Sequence, residues 1–408
     1  MLVRAGRVID PAQELDRRID VRLERDKVVE LGEHLTPKED EVVVDATDAY
    51  VAPGFIDMHV HLREPGFSEK ETIATGCAAA LAGGFTAVAC MPNTQPPLDT
   101  PQAIERVHEI AQALDLARVY PIAAITQGRA GRGFVDYASL QAANAVAFSD
   151  DGSAVEDSSV LYEAAMRARD AVLPFISHCE DERLKRLGAT IAEDVIVARD
   201  LLIAESSRKR WHIAHVSTAG SLTALRAARQ RGVAATCEAT PHHLYFTDEF
   251  AASWGGKANV NPPLRPESDV EALRKAVVDG TVDVFASDHA PHEVHEKARE
   301  KASAPPGFSG LEVAVGAYAL ALPNLPLKRY VELLATNPAR ILNIPGGTLK
   351  VGSPADVTVF VDRPWTVDTA HFYSKGRCTP FEGKRLPRRA IATIVGGRLL
   401  MHDGAVQR

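Results

Sequence analysis

A chain of 408 residues, 46% hydrophobic and 25% charged, has the composition of an ordinary packed protein and is too long for a minimal single domain. Its formal net charge of −8 gives no electrostatic reason to expect nucleic acid or an anionic membrane as partner. Five scattered cysteines (Cys77, Cys90, Cys179, Cys237, Cys378) form no CxxC pair, which argues against a disulfide framework or a thiolate metal site. With no signal-peptide pattern after Met1 and no apolar run near the ~20 residues that cross a bilayer, the expectation is a cytoplasmic protein. The basic clusters Arg208-Lys209-Arg210 and Arg388-Arg389 read as solvated surface.

In chain order, residues 1–50 read as short strands between turns, at Leu2-Val3, Ile19–Leu23, Val28–Leu31 and Val42–Asp45. The C-terminal part is similar, with strands at Ala355–Val361 and Ala392–Arg398. Neither end buries enough surface alone, so the two are expected to pair into one small β-sandwich with the middle inserted between them. The middle alternates strand and helix patterns. Strands are predicted at 51–59, 86–91, 119–125, 145–149, 173–177, 211–216, 234–238 and 282–287. Between most of them lie Ala-rich helical stretches such as 71–82, 101–114, 159–170, 194–206, 221–231 and 269–278, whereas no good helix precedes Ala145. This pattern predicts an α/β fold, a (β/α)8 TIM barrel over 53–345 with a β-sandwich built from 1–52 and 346–408. A doubly wound sheet is the alternative, weakened because no Gly-x-Gly-x-x-Gly follows a strand.

Chemistry in such a barrel belongs at the C-terminal ends of the strands. His59 and His61 end the first, and residues i and i+2 of a strand share a face, so both imidazoles can reach one metal ion. Asp150-Asp151-Gly152 ends the fourth, His178 the fifth, His215 the sixth and Asp288 the eighth. Any one of these could be a packed or capping side chain. Together, imidazole and carboxylate ligands without thiolate predict a metal site suited to Zn²⁺, with Mn²⁺ or Co²⁺ open. No lysine occurs from Glu71 to Leu184, a span that includes the third and fourth strands. The run His292–Lys301 is polar and reads as a surface segment, with His295 solvated.

The stretches Asp57–Gly66, Gly83–Thr86, Met91–Thr94, Ser149–Gly152, His178–Asp181, Cys237–Leu244, Asn261–Arg265 and Ser287–His292 resemble the amidohydrolase superfamily, and within it class I bacterial dihydroorotases. The resemblance spans nearly the whole chain, including Gly352–Val357 of the split end domain. It implies that His59, His61 and Asp288 hold one zinc, that His178 and His215 hold a second, and that Asp151 bridges the two. It implies that Arg63, Asn93, Asn261 and His292 bind the substrate carboxylate. The implied reaction is the reversible, zinc-dependent interconversion of dihydroorotate and N-carbamoyl-aspartate in pyrimidine biosynthesis, with Asp288 as the catalytic proton shuttle.

Bottom-up chemistry agrees. A carboxylate substrate needs a fixed Arg fork and amide donors, and a cyclic amide resists water at neutral pH unless a metal activates both. The competing readings are a hydantoinase- or allantoinase-type cyclic amidase, and a non-catalytic relative that supports aspartate carbamoyltransferase. The first is disfavoured by Arg63 and Asn93, since hydantoins carry no carboxylate. The second is disfavoured because all six metal-ligand candidates are present. A homo-oligomer is expected, with aspartate carbamoyltransferase as the protein partner the resemblance allows.

Overall fold

The computed structural model describes residues 1–187 and 189–407. The two chain ends do meet. A seven-stranded sheet joins a block of N-terminal strands, Arg7–Asp10, Leu15–Arg18 and Tyr50–Pro53, to a block of C-terminal strands, Val357–Val361, Arg389–Val395, Arg398–His402 and Ala405–Val406. The seam is the antiparallel pairing of Tyr50–Pro53 with Val357–Phe360. A second sheet of four strands, all from residues 2–45, shares one core with it, in which Val3, Val21 and Val28 pack with Val357, Val359 and Ile394. Alternation alone would not have joined these segments; each is too short to be stable until the other end covers it.

Between the ends, parallel strands follow one another in chain order. Phe55–Val60, Phe85–Cys90 and Arg118–Pro121 form one sheet; Phe175–Ser177, Trp211–Ile213, Ala235–Ala239 and Val284–Phe285 form another. A doubly wound sheet would reverse its strand order, and this one does not. Single parallel bridges link the two sheets, Ala123 to Phe148 to Phe175 on one side and Val60 to His289 on the other. The expected strand 145–149 is thus reduced to one bridging residue. The cause is local: the Asp150 carboxylate takes the amides of Ile125 and Thr126 (2.8 and 3.1 Å), donors that a longer ladder would need. A helix does precede it, Tyr137–Ala142, capped by Asp136.

The predicted helices form close to their expected bounds, and their caps explain where they begin. Thr72, Thr100 and Thr218 accept from the amides of Thr75, Ala103 and Ser221 at the starts of Ile73–Gly83, Pro101–Leu114 and Ala219–Gln230. The first helix ends on Gly84 at φ +93°, where a Cβ would stand 2.7 Å from that of Ala390. Only glycine lets the sandwich strand approach so closely. Parallel strands covered on both faces are buried throughout, as Phe55–Val60 and Phe85–Cys90 are, with Asp57 and His59 the ionisable exceptions in an otherwise apolar first strand.

Two expectations about charge need correction. Lys209 and Arg388 are 5% and 9% exposed, not solvated. Lys209 Nζ caps the carbonyls of Ala168 and Ala171, and Arg388 lies over the Tyr330 ring while pairing with Asp362. Long aliphatic stems bury readily when the charged head finds carbonyls or a ring. No helix among the described residues is long and apolar enough to cross a membrane.

Candidate metal centre

The first barrel strand carries Asp57, His59 and His61 in alternation, and its ladder with the second strand shifts register between Asp57 and Val60. Such a bulge re-aims side chains at the strand's end. Asp57, fully buried, accepts from the amides of His59 and Ser287, and so ties this strand end to the loop of Asp288. His61 follows, its amide donating to the carbonyl of His289 (2.8 Å). Arg63, His215 and Asp288 all adopt positive φ (61°, 32° and 49°). Backbone strain of this kind costs ~1–3 kcal/mol per residue and persists where surrounding structure holds a site in place.

The six candidate ligands converge. His59, His61 and Asp151 form one buried group with ligand atoms within 4.8 Å of one another, and Asp151, His178 and His215 form a second. Asp151 is common to both. Asp288 adjoins the first group, its Oδ1 3.2 Å from His61 Nε2 and 3.5 Å from His59 Nε2. His178 Nδ1 and His215 Nε2 stand 3.0 Å apart and face Asp151 Oδ1 at 3.6 and 3.7 Å. The neighbouring Asp150 is spent on the Ile125 and Thr126 amides, which separates the two aspartates by role.

Carboxylates and an amide fix which imidazole nitrogen faces inward. Glu238 takes the Nδ1 proton of His59 (2.5 Å), Asn93 Oδ1 that of His61 (2.8 Å), and Glu180 the Nε2 proton of His178 (3.1 Å). The opposite nitrogens then present lone pairs to the centre. Glu238 also accepts from His212 Nε2 and the His215 amide, each at 3.1 Å.

The electrostatics call for a cation. His59 Nε2 and Asp151 Oδ1 are buried without a hydrogen-bond partner. Burial opposes ionisation of Asp151, yet His59, His178 and His215 hold its carboxyl well below the usual range. Burial likewise opposes a charged His59, but Glu238, Asp151 and Asp288 pull its pKa well above the ordinary value. Buried acceptors of this number and polarity fit a pair of metal ions.

Beside the centre lies a cavity of about 220 Å³. Every predicted site residue except His59 lines it, and His59 is fully buried behind. Arg63, Asn93, Asn261 and His292 form its polar wall. Arg63 Nε donates to the carbonyl of Pro291, and burial lowers its pKa only to about 10, so it keeps its charge. His292 lies 2.9 Å from the Pro306 carbonyl, and burial with Arg63 and Lys70 nearby lowers it to about 2, leaving it neutral. Because Asn93 Oδ1 is engaged by His61, its Nδ2 is the group left to donate into the cavity.

Glu238 and Glu180 were not singled out from the sequence. The signal was present: Glu238 is the one charge in the short strand Ala235–Ala239, and Glu180 stands two residues after His178. A charge buried in such a strand has to be paired.

A parallel α/β fold that gathers histidines and aspartates at its strand ends into two triads sharing one carboxylate has the donor set of the metal-dependent hydrolase class, consistent with a two-metal site. The model of the amidohydrolase family matches residues 50–400. The chain is 44% identical to a dihydroorotase of Anaeromyxobacter dehalogenans (100% of this chain, 99% of the relative) and 40% identical to one of Aquifex aeolicus (99% of each). The chain therefore belongs to the amidohydrolase family and groups there with the dihydroorotases. Its fold matches an L-hydantoinase (dihydropyrimidinase) of Arthrobacter aurescens, with a TM-score of 0.89 at 23% identity over 100% of this chain and 97% of that one. A D-hydantoinase (dihydropyrimidinase) of a Thermus species matches with a TM-score of 0.85 at 23% identity, over 100% and 96%.

Proposed function

We propose that this chain is a zinc-dependent dihydroorotase, interconverting (S)-dihydroorotate and N-carbamoyl-L-aspartate in de novo pyrimidine biosynthesis. The observation that carries the reading is the cavity itself: a wall of Arg63, Asn93, Asn261 and His292 faces two His/Asp triads across about 220 Å³. A cyclic amide that also bears a carboxylate needs both halves.

In this reading His59, His61 and Asp288 would hold one zinc and His178 and His215 the other, with Asp151, common to both groups, available to each. When bound, such ions lower the pKa of a water and polarise an amide carbonyl. The chain's own residues do the rest. Arg63 offers its charged guanidinium to the substrate carboxylate, supported by Asn93 Nδ2 and the Asn261 amide, while His292, its one N–H on the Pro306 carbonyl, completes the wall beside Arg63. That anchoring fixes the scissile C–N bond beside Asp288. Burial raises the Asp288 carboxyl, but His59, His61 and His215 more than offset this and hold it anionic, ready to accept a proton. In the hydrolytic direction Asp288 takes the proton of the attacking water. It returns that proton to the ring nitrogen as the C–N bond breaks, and the new carboxyl group releases the water's second proton to solvent as it becomes the carboxylate. The reverse sequence closes the ring.

On the same footing we propose that the two sheet segments of 53–345 form one closed eight-stranded barrel, with 1–52 and 346–408 as the sandwich. Five buried free thiols suit a cytoplasmic enzyme. Homo-oligomerisation and association with aspartate carbamoyltransferase belong to the proposal too, and size-exclusion chromatography with and without that enzyme tests them.

The functional test is a substrate panel. Purified metal-loaded protein should turn over dihydroorotate and leave hydantoin and allantoin nearly untouched. Preferential hydrolysis of hydantoin would overturn the reading, since it would leave Arg63 without a charge to bind.

A further inference from the structure

A second cavity has no lining residue in common with the substrate cavity, and Lys297 in its lining reaches the backbone beside that site. This second cavity has a volume of about 310 Å³ and opens between the helix and turn at 250–257, the helix Val294–Lys297 and the segment 377–384. Phe250 and Trp254 form its aromatic side, ring centroids 5.3 Å apart. Lys257, Lys297, Arg377 and Lys384 bring four positive groups to the lining, against the single carboxylate of Glu382.

Among the described residues none of those four cations has a carboxylate partner. Lys297, expected on the surface, is 1% exposed; its Nζ donates to the carbonyls of Asn259 and Pro305, 2.9 Å each, and lies 5.3 Å from the Phe308 ring. Arg377 Nη1 donates to the carbonyls of Thr369 and Phe372, and Lys384 Nζ stands 5.3 Å over the Phe246 ring. Thr379, also in the lining and 1% exposed, has a hydroxyl without a hydrogen-bond partner.

Lys297 is the link between the cavities. The residues after Pro305, namely Pro306 and Gly307, line the substrate cavity. The Pro306 carbonyl is bound by His292, and the Gly307 amide donates to the Asn259 carbonyl (3.0 Å). One ammonium therefore ties together the two carbonyls that frame this strap.

We propose that the second cavity is a ligand site for a planar aromatic ring carrying a phosphate, of the nucleoside monophosphate class, and that its occupancy acts on the substrate cavity through Lys297. Aromatic side chains stack on a flat base without needing a particular sequence of donors. Unpaired Lys and Arg side chains suit a dianion better than a single carboxylate. The volume stands at the low end of the ~300–1,000 Å³ typical of ligand pockets, which favours a mononucleotide over longer phosphate chains.

The test is isothermal titration calorimetry of the full-length, metal-loaded protein with uridine 5′-monophosphate, adenosine 5′-monophosphate and inorganic phosphate. One-site binding with a Kd of about 1 mM or tighter is expected for a nucleotide, with inorganic phosphate at least about tenfold weaker. The better of the two nucleotides identifies the base. Lys257→Glu should weaken the nucleotide about tenfold or more without moving the thermal melting curve, and Trp254→Leu should weaken it as much while lowering the melting temperature, because Trp254 also packs on Phe250 and Phe308. Saturating nucleotide should shift the substrate KM severalfold. Absence of saturable binding would overturn the site, as would equal affinity for inorganic phosphate or binding that survives both substitutions and is displaced by substrate. Binding that leaves KM unchanged would overturn the coupling through Lys297.

Discussion

Glu238→Gln probes the part of the centre that only the structure brought out. Glu238 Oε1 receives His59 Nδ1 at 2.5 Å and the His215 amide at 3.1 Å, and Oε2 receives His212 Nε2 at 3.1 Å. Glutamine keeps one acceptor oxygen and the same shape. With that oxygen on the His59 side, the new NH2 faces His212, which can answer by moving its proton to Nδ1 beside Thr236. What is lost is charge. A hydrogen bond to a charged group is worth ~1.5–3 kcal/mol and a neutral one ~0.5–1.5, so orientation of His59 weakens by about 1–1.5 kcal/mol. That is about tenfold, and losing a negative charge next to the centre adds to it, giving ~10–100-fold in metal affinity. The assay equilibrates wild type and variant against chelator-buffered zinc and reads bound metal by mass spectrometry, with circular dichroism to verify folding. The His59–His61–Asp151 half should empty first and the His178–His215 half later. A folded variant that retains zinc like wild type would refute the orienting role.

Three further outcomes follow from the same geometry. Asp288→Asn leaves an oxygen for the metal but no proton acceptor, so turnover should fall about 10²–10⁴-fold with much of the metal retained; near-normal turnover would place the proton shuttle elsewhere. Arg63→Met should raise KM for dihydroorotate about 10–100-fold, the equivalent of one charge-assisted bond of ~1.5–3 kcal/mol; an unchanged KM would show that Arg63 only holds its loop. Burial pushes the Glu312 carboxyl up to about 8, against the pull of the Tyr373 and Ser374 amides it accepts. The folded state then keeps a proton that the unfolded chain releases above about 4.3, so stability falls as pH rises from there through about 8. Glu312→Gln should flatten that slope and be the more stable protein above about pH 8; superimposable pH profiles of Tm would exclude Glu312 as the titrating group.

Much of the centre was legible because its ligands follow strand geometry. His59 and His61 stand two apart, and His178, His215 and Asp288 each end an apolar run, so alternation and fold class together place them on one rim. Asp151 could be chosen over Asp150 only by the resemblance; the structure gives the reason, since Asp150 is consumed by the Ile125 and Thr126 amides. The supporting groups were harder. Glu238 and Glu180 act on histidines through contacts that no short spacing encodes for Glu238, 179 residues from His59. Asn93 is expected on the substrate, and what the structure adds is its Oδ1 on His61 Nδ1, because an amide has two ends and sequence shows neither. Lys209, Lys297 and Arg388 looked solvated because composition counts charge and not the carbonyls that wait for it. The fourth strand failed for a similar reason, its partner's amides being claimed by a side chain.

The most direct test of the account is metal reconstitution without carbon dioxide. Protein stripped by a chelator should lose dihydroorotate turnover. Zinc restored in buffer purged of carbon dioxide and bicarbonate should return it fully at two ions per chain, with bicarbonate adding nothing, because the bridge we propose is the unmodified carboxylate of Asp151. A requirement for bicarbonate, or a lysine heavier by one carboxyl group in the mass spectrum, would contradict that bridge. Undiminished turnover by the metal-free protein would contradict the metal centre itself.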